Sequence, residues 1–170
     1  MEYHVLLFLH ILSTIVWAGG AIVLGFFVVP SILDAGPAGG AVMAGVVKRR
    51  LPILLSIAGT VAILTGLRLY MMRFVASWVV TPQGLALTIG GILGLGAWVL
   101  GVFIQRPLAQ QLGVLGASIA ASGAPPTPAQ AAELKALRDR MRRVARLTSW
   151  HLLGAATLMA VHRLAATFSG

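Results

Sequence analysis

The sequence predicts an all-α integral membrane protein: four transmembrane helices in an up-down-up-down bundle, with helical extensions of the third and fourth helices on the cytoplasmic side. Three observations predict it. The chain is 58% hydrophobic and only 10% charged, with a mean hydropathy of +0.92, whereas a water-soluble domain carries about 25% charged residues. Too little polar surface is available to coat a globule in water, so a bilayer is the natural solvent. Four apolar runs reach the roughly 20 residues needed to cross the hydrocarbon. The basic residues cluster at one set of connections.

The first run extends over about 4–29 and is stopped by Pro30. The second, about 51–72, has Pro52 in its first turn. The third, about 84–104, follows Thr81-Pro82, an N-cap with proline at the first helical position. The fourth is about 147–167. The connection from Ser31 to Arg50 is rich in Gly and Ala and ends in Lys48-Arg49-Arg50. The segment of about 105–146 reads as a cytoplasmic helical hairpin that turns at Gly123-Ala-Pro-Pro-Thr-Pro128. Thr127 and Gln130 form a capping box that starts the fourth helix outside the membrane. Glu2, and the lack of Lys or Arg before the first run, predict a retained helix rather than a cleaved leader. The whole chain, 1–170, reads as one domain.

Charge sets the orientation. Lys48, Arg49, Arg50, Arg106, Lys135, Arg138, Arg140, Arg142, Arg143 and Arg146 fall on one side, against Arg68, Arg73 and Arg163 on the other. The positive-inside rule then puts the basic loops in the cytoplasm and both termini outside, in the cell (inner) membrane. The net charge of +9 belongs to topology and anionic lipid, not to nucleic acid.

Composition also excludes chemistry. Cysteine is absent, which removes disulfides, thiolate metal sites and cysteine nucleophiles. Glu2, Asp34, Glu133 and Asp139 lie outside the spans or at their ends, which leaves no paired carboxylates or intramembrane carboxylate relay. The four histidines carry the remaining information. His10 lies about 9 Å below the start of the first run, and His162 at a similar depth in the fourth. In an up-down-up-down bundle the first and fourth helices are neighbours, so His10 and His162 face each other near the outer end. Two imidazoles at matched depth on facing helices are the ligand set of a six-coordinate b-type haem. Arg68 and Arg163 would pair with propionates, while Trp17, Gly20 and Gly66 would line or make room for the macrocycle.

Plainer roles compete at each position. A histidine in a membrane helix can hydrogen-bond a neighbouring carbonyl, Arg68 can snorkel to the interface, and His4 and His151 read as interfacial residues and lesser candidates for the metal. Copper is the alternative cofactor: Met1, His4, Met71, Met72, Met159 and His162 fall near the outer side, and thioethers with imidazoles select copper(I).

The segment Leu9-His10-Ile11-Leu12-Ser13-Thr14-Ile15-Val16-Trp17-Ala18-Gly19-Gly20 resembles the opening helix of the CopD-type copper-resistance membrane domain and its relatives, including HemJ-type protoporphyrinogen oxidase. The second run, with Leu64-Thr65-Gly66-Leu67, resembles the Thr-Gly helix of that group, and Thr81-Pro82-Gln83-Gly84 resembles the start of its next helix. The resemblance implies a haem or copper role for His10. The HemJ-type enzymes also carry a functional lysine in a later helix, which the run 84–104 lacks. The leading expectation is a b-type haem protein acting in one-electron transfer or as a small redox enzyme, with a quinone or small oxidant as partner. The alternatives are a CopD-like copper uptake or handling protein and a non-catalytic subunit of a membrane complex. The Gly-rich third run would suit a homodimer or a partner membrane subunit under any of them.

Overall fold

The computed structural model of the chain describes residues 1–162. Every regular element among them is helical: α1 Glu2–Asp34, α2 Pro37–Lys48, α3 Leu51–Arg73, the single turn α4 Ala76–Val79, α5 Pro82–Ser122 and α6 Pro128–Val161. Three of them, α1, α3 and α5, are long and apolar enough to cross a membrane. The fourth predicted run, 147–167, lies on α6 up to Val161, and its remainder falls outside the described residues, as does Arg163.

Local chemistry explains most of the helix boundaries. Thr81 caps α5 by accepting from the Gly84 amide at 3.1 Å. The capping box at Thr127 and Gln130 is present in both directions, at 3.3 and 2.9 Å. Gly123, at φ +63°, turns α5 into the segment before α6.

Two boundaries differ from expectation. Pro30 does not stop α1, which continues to Asp34. A widened π turn over Leu24–Val28 stands directly before it and re-registers the backbone bonds, so the missing proline N–H and the bulk of its ring are absorbed. Similar π turns occupy Ile15–Gly19 and, before Pro107, Leu100–Gln105. The Gly/Ala-rich connection is also not a plain loop. Gly36 takes φ +60°, Pro37 starts a helix, and α2 folds back so that Gly39 lies on the Ile32 carbonyl with no room for a side chain.

The helices meet through small residues. The first half of α1 runs antiparallel to α3: Tyr3 accepts from Arg73 at 3.0 Å, Trp17 lies over Gly59, and Gly20 faces Leu55. Its second half meets α6, where Gly25 lies against Ser149 and Ala145 and Phe26 meets the Trp150 ring edge-on at 5.2 Å. α5 meets α6 along Gly90 and Gly96 and through Gln105 donating to Thr148 at 2.9 Å. It meets α3 where Tyr70 and Thr88 share a 2.7 Å hydrogen bond. The buried core is correspondingly fine-grained: Trp17, Ala18, Ala58, Ala62, Ala97 and Leu152.

Large apolar side chains point outward instead. Phe8, Leu64, Ile92 and Phe103 are each more than 60% exposed, an arrangement water would penalise and lipid would not.

The α1–α6 contact tolerates no added atom at Gly25, since a Cβ there would meet Ser149 Oγ and stand 2.7 Å from the Ala145 carbonyl oxygen. Gly25→Ala is expected to destabilise the protein by about 1–3 kcal/mol, read as a lower Tm in detergent. Gly40→Ala, with no neighbour within 4 Å, should leave Tm unchanged or raise it.

Candidate functional site

The site grows from one close approach. Ala62 and Gly66 lie one turn apart on α3 and present almost no side chain toward α1. A Cβ on Gly66 would stand 2.7 Å from His10 Cε1 and 3.1 Å from its Nδ1. The bare backbone therefore admits the imidazole edge, and His10 Nδ1 reaches the Ala62 carbonyl oxygen at 2.9 Å. A carbonyl only accepts, so Nδ1 carries the proton and donates. In the neutral ring, Nε2 is then left with its lone pair.

Thr65 Oγ1 lies 3.4 Å from the same Nδ1 and donates to the Val61 carbonyl at 2.6 Å. Ser13, three residues after His10, turns its hydroxyl back onto the Leu9 carbonyl at 2.6 Å. Thr14 does not: one turn below His10, its Oγ1 is buried and has no partner among the described residues. An uncharged hydroxyl left so costs on the order of 1–3 kcal/mol, so it marks a place where a further polar group would be stabilised.

The other histidines share the Nδ1 pattern on their own helix. His151 Nδ1 donates to the Leu147 carbonyl at 2.9 Å, and His162 Nδ1 to the Met159 carbonyl at 2.5 Å. His4 is exposed and meets the Tyr3 ring edge-on at 5.5 Å. His10 turns to α3 and His162 to its own last turn; among the described residues no hydrogen bond joins the two.

Comparison of the chain with known protein families, with curated proteins and with solved structures found no match. The reading of the site therefore stands on its own residues.

Arg68 has found a partner within the chain. Its Nε and one terminal nitrogen donate to Glu2 Oε1 at 3.0 and 2.8 Å, tying the start of α1 to α3. Both side chains are more than half exposed, so the pair contributes little stability and its charge remains accessible to an additional anion. The space at Gly20 and Gly66, expected to admit a macrocycle, is taken by Leu55 and by the His10 ring itself. Trp17 is buried against Gly59 in the core.

The methionines are dispersed. Met71 and Met72 are exposed on α3, while Met159 packs beside Gly90 between α5 and α6. No group of three or more His, Cys, Asp or Glu side chains converges among the described residues.

Sequence reasoning missed Ala62, Thr65, Thr14 and Glu2. A signal existed for the first two: a small residue, then Thr-Gly, spaced within one turn of an apolar helix marks a face where another backbone comes close.

Gly66→Ala should displace the His10 ring and break its bond to Ala62, a loss of about 1 kcal/mol visible as a lower Tm. Gly19→Ala, with nothing within 4 Å, should be neutral or stabilising by up to about 1 kcal/mol. Equal effects of the two substitutions would contradict the packing described.

Proposed function

We propose that the protein is a four-span bundle of the inner membrane, with both termini outside, that binds a b-type haem through Nε2 of His10 and Nε2 of His162 and transfers single electrons near the outer face. One observation carries this reading. Both imidazoles hold their Nδ1–H on a backbone carbonyl, His10 on Ala62 and His162 on Met159. That leaves Nε2 in each as an unprotonated donor atom. Metal-ligating histidines almost always have this second bond, which fixes the tautomer and the ring orientation.

The chemistry of the two donor atoms suits the group, although Leu55 and the His10 ring occupy the space at Gly20 and Gly66. Two neutral imidazole nitrogens from separate helices suit low-spin iron, and the unsatisfied Thr14 hydroxyl lies one turn from His10. Arg68, although paired with Glu2, keeps donor capacity for a propionate. When bound, haem supplies reversible one-electron exchange at iron. The chain's own residues do the rest: Ala62 and Gly66 orient His10, and Met159 orients His162. The absence of intramembrane carboxylates favours plain electron exchange, with a quinone or small oxidant as partner, over proton-coupled acid–base chemistry. The resemblance of the His10–Gly20 segment to CopD-type and HemJ-type helices supports the same assignment for His10.

The detergent-purified protein should show a Soret band that shifts on dithionite reduction, sharp α and β bands, and about one haem b per chain by pyridine haemochrome. His10→Ala and His162→Ala should each abolish or convert this low-spin spectrum, while Met159→Leu should leave it intact. A featureless visible spectrum after expression with ample haem would overturn the proposal. Copper bound in its place, and lost on Met159→Leu, would turn the assignment to copper handling.

A further inference from the structure

α3 and α5 meet through two long side chains. Tyr70 and Thr88 share a 2.7 Å hydrogen bond, and Trp98 Nε1 donates to Thr60 Oγ1 at 3.3 Å. Thr60 precedes Tyr70 by ten positions and Trp98 follows Thr88 by ten, so the two helices run antiparallel in a steady register. Arg106 stands eight residues beyond Trp98. Two helical turns and the residue added by the π turn at Leu100–Gln105 account for that spacing. Arg106 therefore returns to the Trp98 side of α5, about level with Pro52.

Between these levels the helices leave a crevice. Ser56, one turn before Thr60 on the same face of α3, is exposed, as are Pro52 and Thr60. Ile53 is 55% exposed, and a Cβ on Gly101, one turn beyond Trp98, would meet nothing within 4 Å. α3 itself holds both hydroxyl protons, Ser56 donating to the Pro52 carbonyl at 2.8 Å and Thr60 to the Ser56 carbonyl at 2.9 Å. The wall of the crevice thus asks for no polar partner.

Depth and charge identify the occupant. The 23 residues of α3 rise about 35 Å, close to the thickness of a bilayer's hydrocarbon, which puts Arg50 at its edge. Thr60 lies about 15 Å deeper, near the middle of a hydrocarbon layer about 30 Å thick. The Trp98–Thr60 bridge therefore closes the crevice at the depth where one leaflet ends. Its mouth is cationic, since Arg50 and Arg106 are both exposed. Among the described residues the ion pairs are Arg68 with Glu2 and Arg142 with Asp34, so neither of these two cations has a carboxylate.

We propose that one anionic phospholipid of the leaflet bordering Arg50 occupies the α3–α5 crevice. Its phosphate is held by Arg50 and Arg106, and an acyl chain runs inward over Ile53 and Ser56 to end at Trp98. Headgroup at the edge and tail toward the midplane is the orientation of the surrounding lipid, so the site fills sideways from the leaflet. A basic mouth over a slot between membrane helices supplies the attraction that selects an anionic headgroup. The inference rests on the membrane-spanning reading but not on haem, so loss of the haem assignment leaves it standing.

The chain has no cysteine, which makes single-site labelling direct. Ile53→Cys would carry a bimane label at the crevice in phosphatidylcholine vesicles containing phosphatidylglycerol. Val23→Cys is the control: Val23 is 52% exposed on α1, and the contact of Gly20 with Leu55 sets it about level with Pro52. The label at 53 should be quenched more strongly by spin-labelled phosphatidylglycerol than by spin-labelled phosphatidylcholine at equal mole fraction, and the label at 23 equally by both. Arg50→Gln and Arg106→Gln should each reduce the preference at 53, by about fivefold. Ser56→Leu, which fills the crevice and keeps both cations, should reduce it too. Unchanged quenching at 23 in these variants reports an intact fold. Four outcomes would overturn the proposal. Equal quenching at 53 by the two lipids would remove anionic selectivity, and the same preference at 23 as at 53 would mean a diffuse surface charge. Persistence of the preference in Ser56→Leu would place the lipid outside the crevice, and resistance of the label at 53 to both lipids would mean that a protein surface covers it.

Discussion

Close backbone approach is the constraint on which this molecule depends. Inside a bilayer there is no hydrophobic gain in moving a leucine from lipid onto a neighbouring helix, so association rests on van der Waals contact and on bonds between helices. Both need short distances, and short distances need residues with little or no side chain. Gly25 against Ser149, Gly59 beneath Trp17, Gly66 beside His10 and Gly90 beside Met159 are the points where this happens. The bulky residues are correspondingly outside, and the interior is mainly alanine with a few hydroxyls satisfied by their own helices.

The same constraint makes the histidine site. An interhelical bond from a side chain to a main-chain carbonyl is open only where the acceptor helix is bare. Thr65, beside Gly66, turns its hydroxyl proton back on the Val61 carbonyl, which leaves the Ala62 carbonyl to the imidazole. The result is an imidazole with one nitrogen fixed by the fold and the other left for chemistry. Rigid support of one donor atom on a regular helix is the kind of preorganisation that a ligand or redox centre requires.

Much of this was legible in the amino-acid sequence, and the limits are physical. Apolar run length, the cap at Thr81 and the box at Thr127 are local properties, and local rules recovered them. Pro30 was misread because proline is a helix breaker only when the surrounding turn is a regular α turn, and the π turn at Leu24–Val28 cannot be inferred from composition. α2 was missed because its three glycines argue against a helix, while its alanines, the Pro37 start and the Gly36 turn argue for one. The histidine partners depend on register between distant segments: His10 meets a residue 52 positions away, and no periodicity encodes which carbonyl it meets. Arg68 was rightly seen to need a counter-charge, but the nearest was Glu2, at the far end of a neighbouring helix and outside the apolar run.

The π turns have a further consequence. Each adds a residue to a turn and so rotates everything beyond it by about 100° relative to a continuous helix. α1 contains two, and it uses them to serve two clients: the residues up to Trp17 look toward α3, while those around Gly25 look toward α6. It behaves as two short helices in rotational series on one unbroken backbone. A regular helix of the same sequence would have to choose between its neighbours, because a face correctly aimed at one end would drift away from its target at the other. The widened turns act as phase adjusters, and they let one helix pack against two neighbours in succession without a break or a loop.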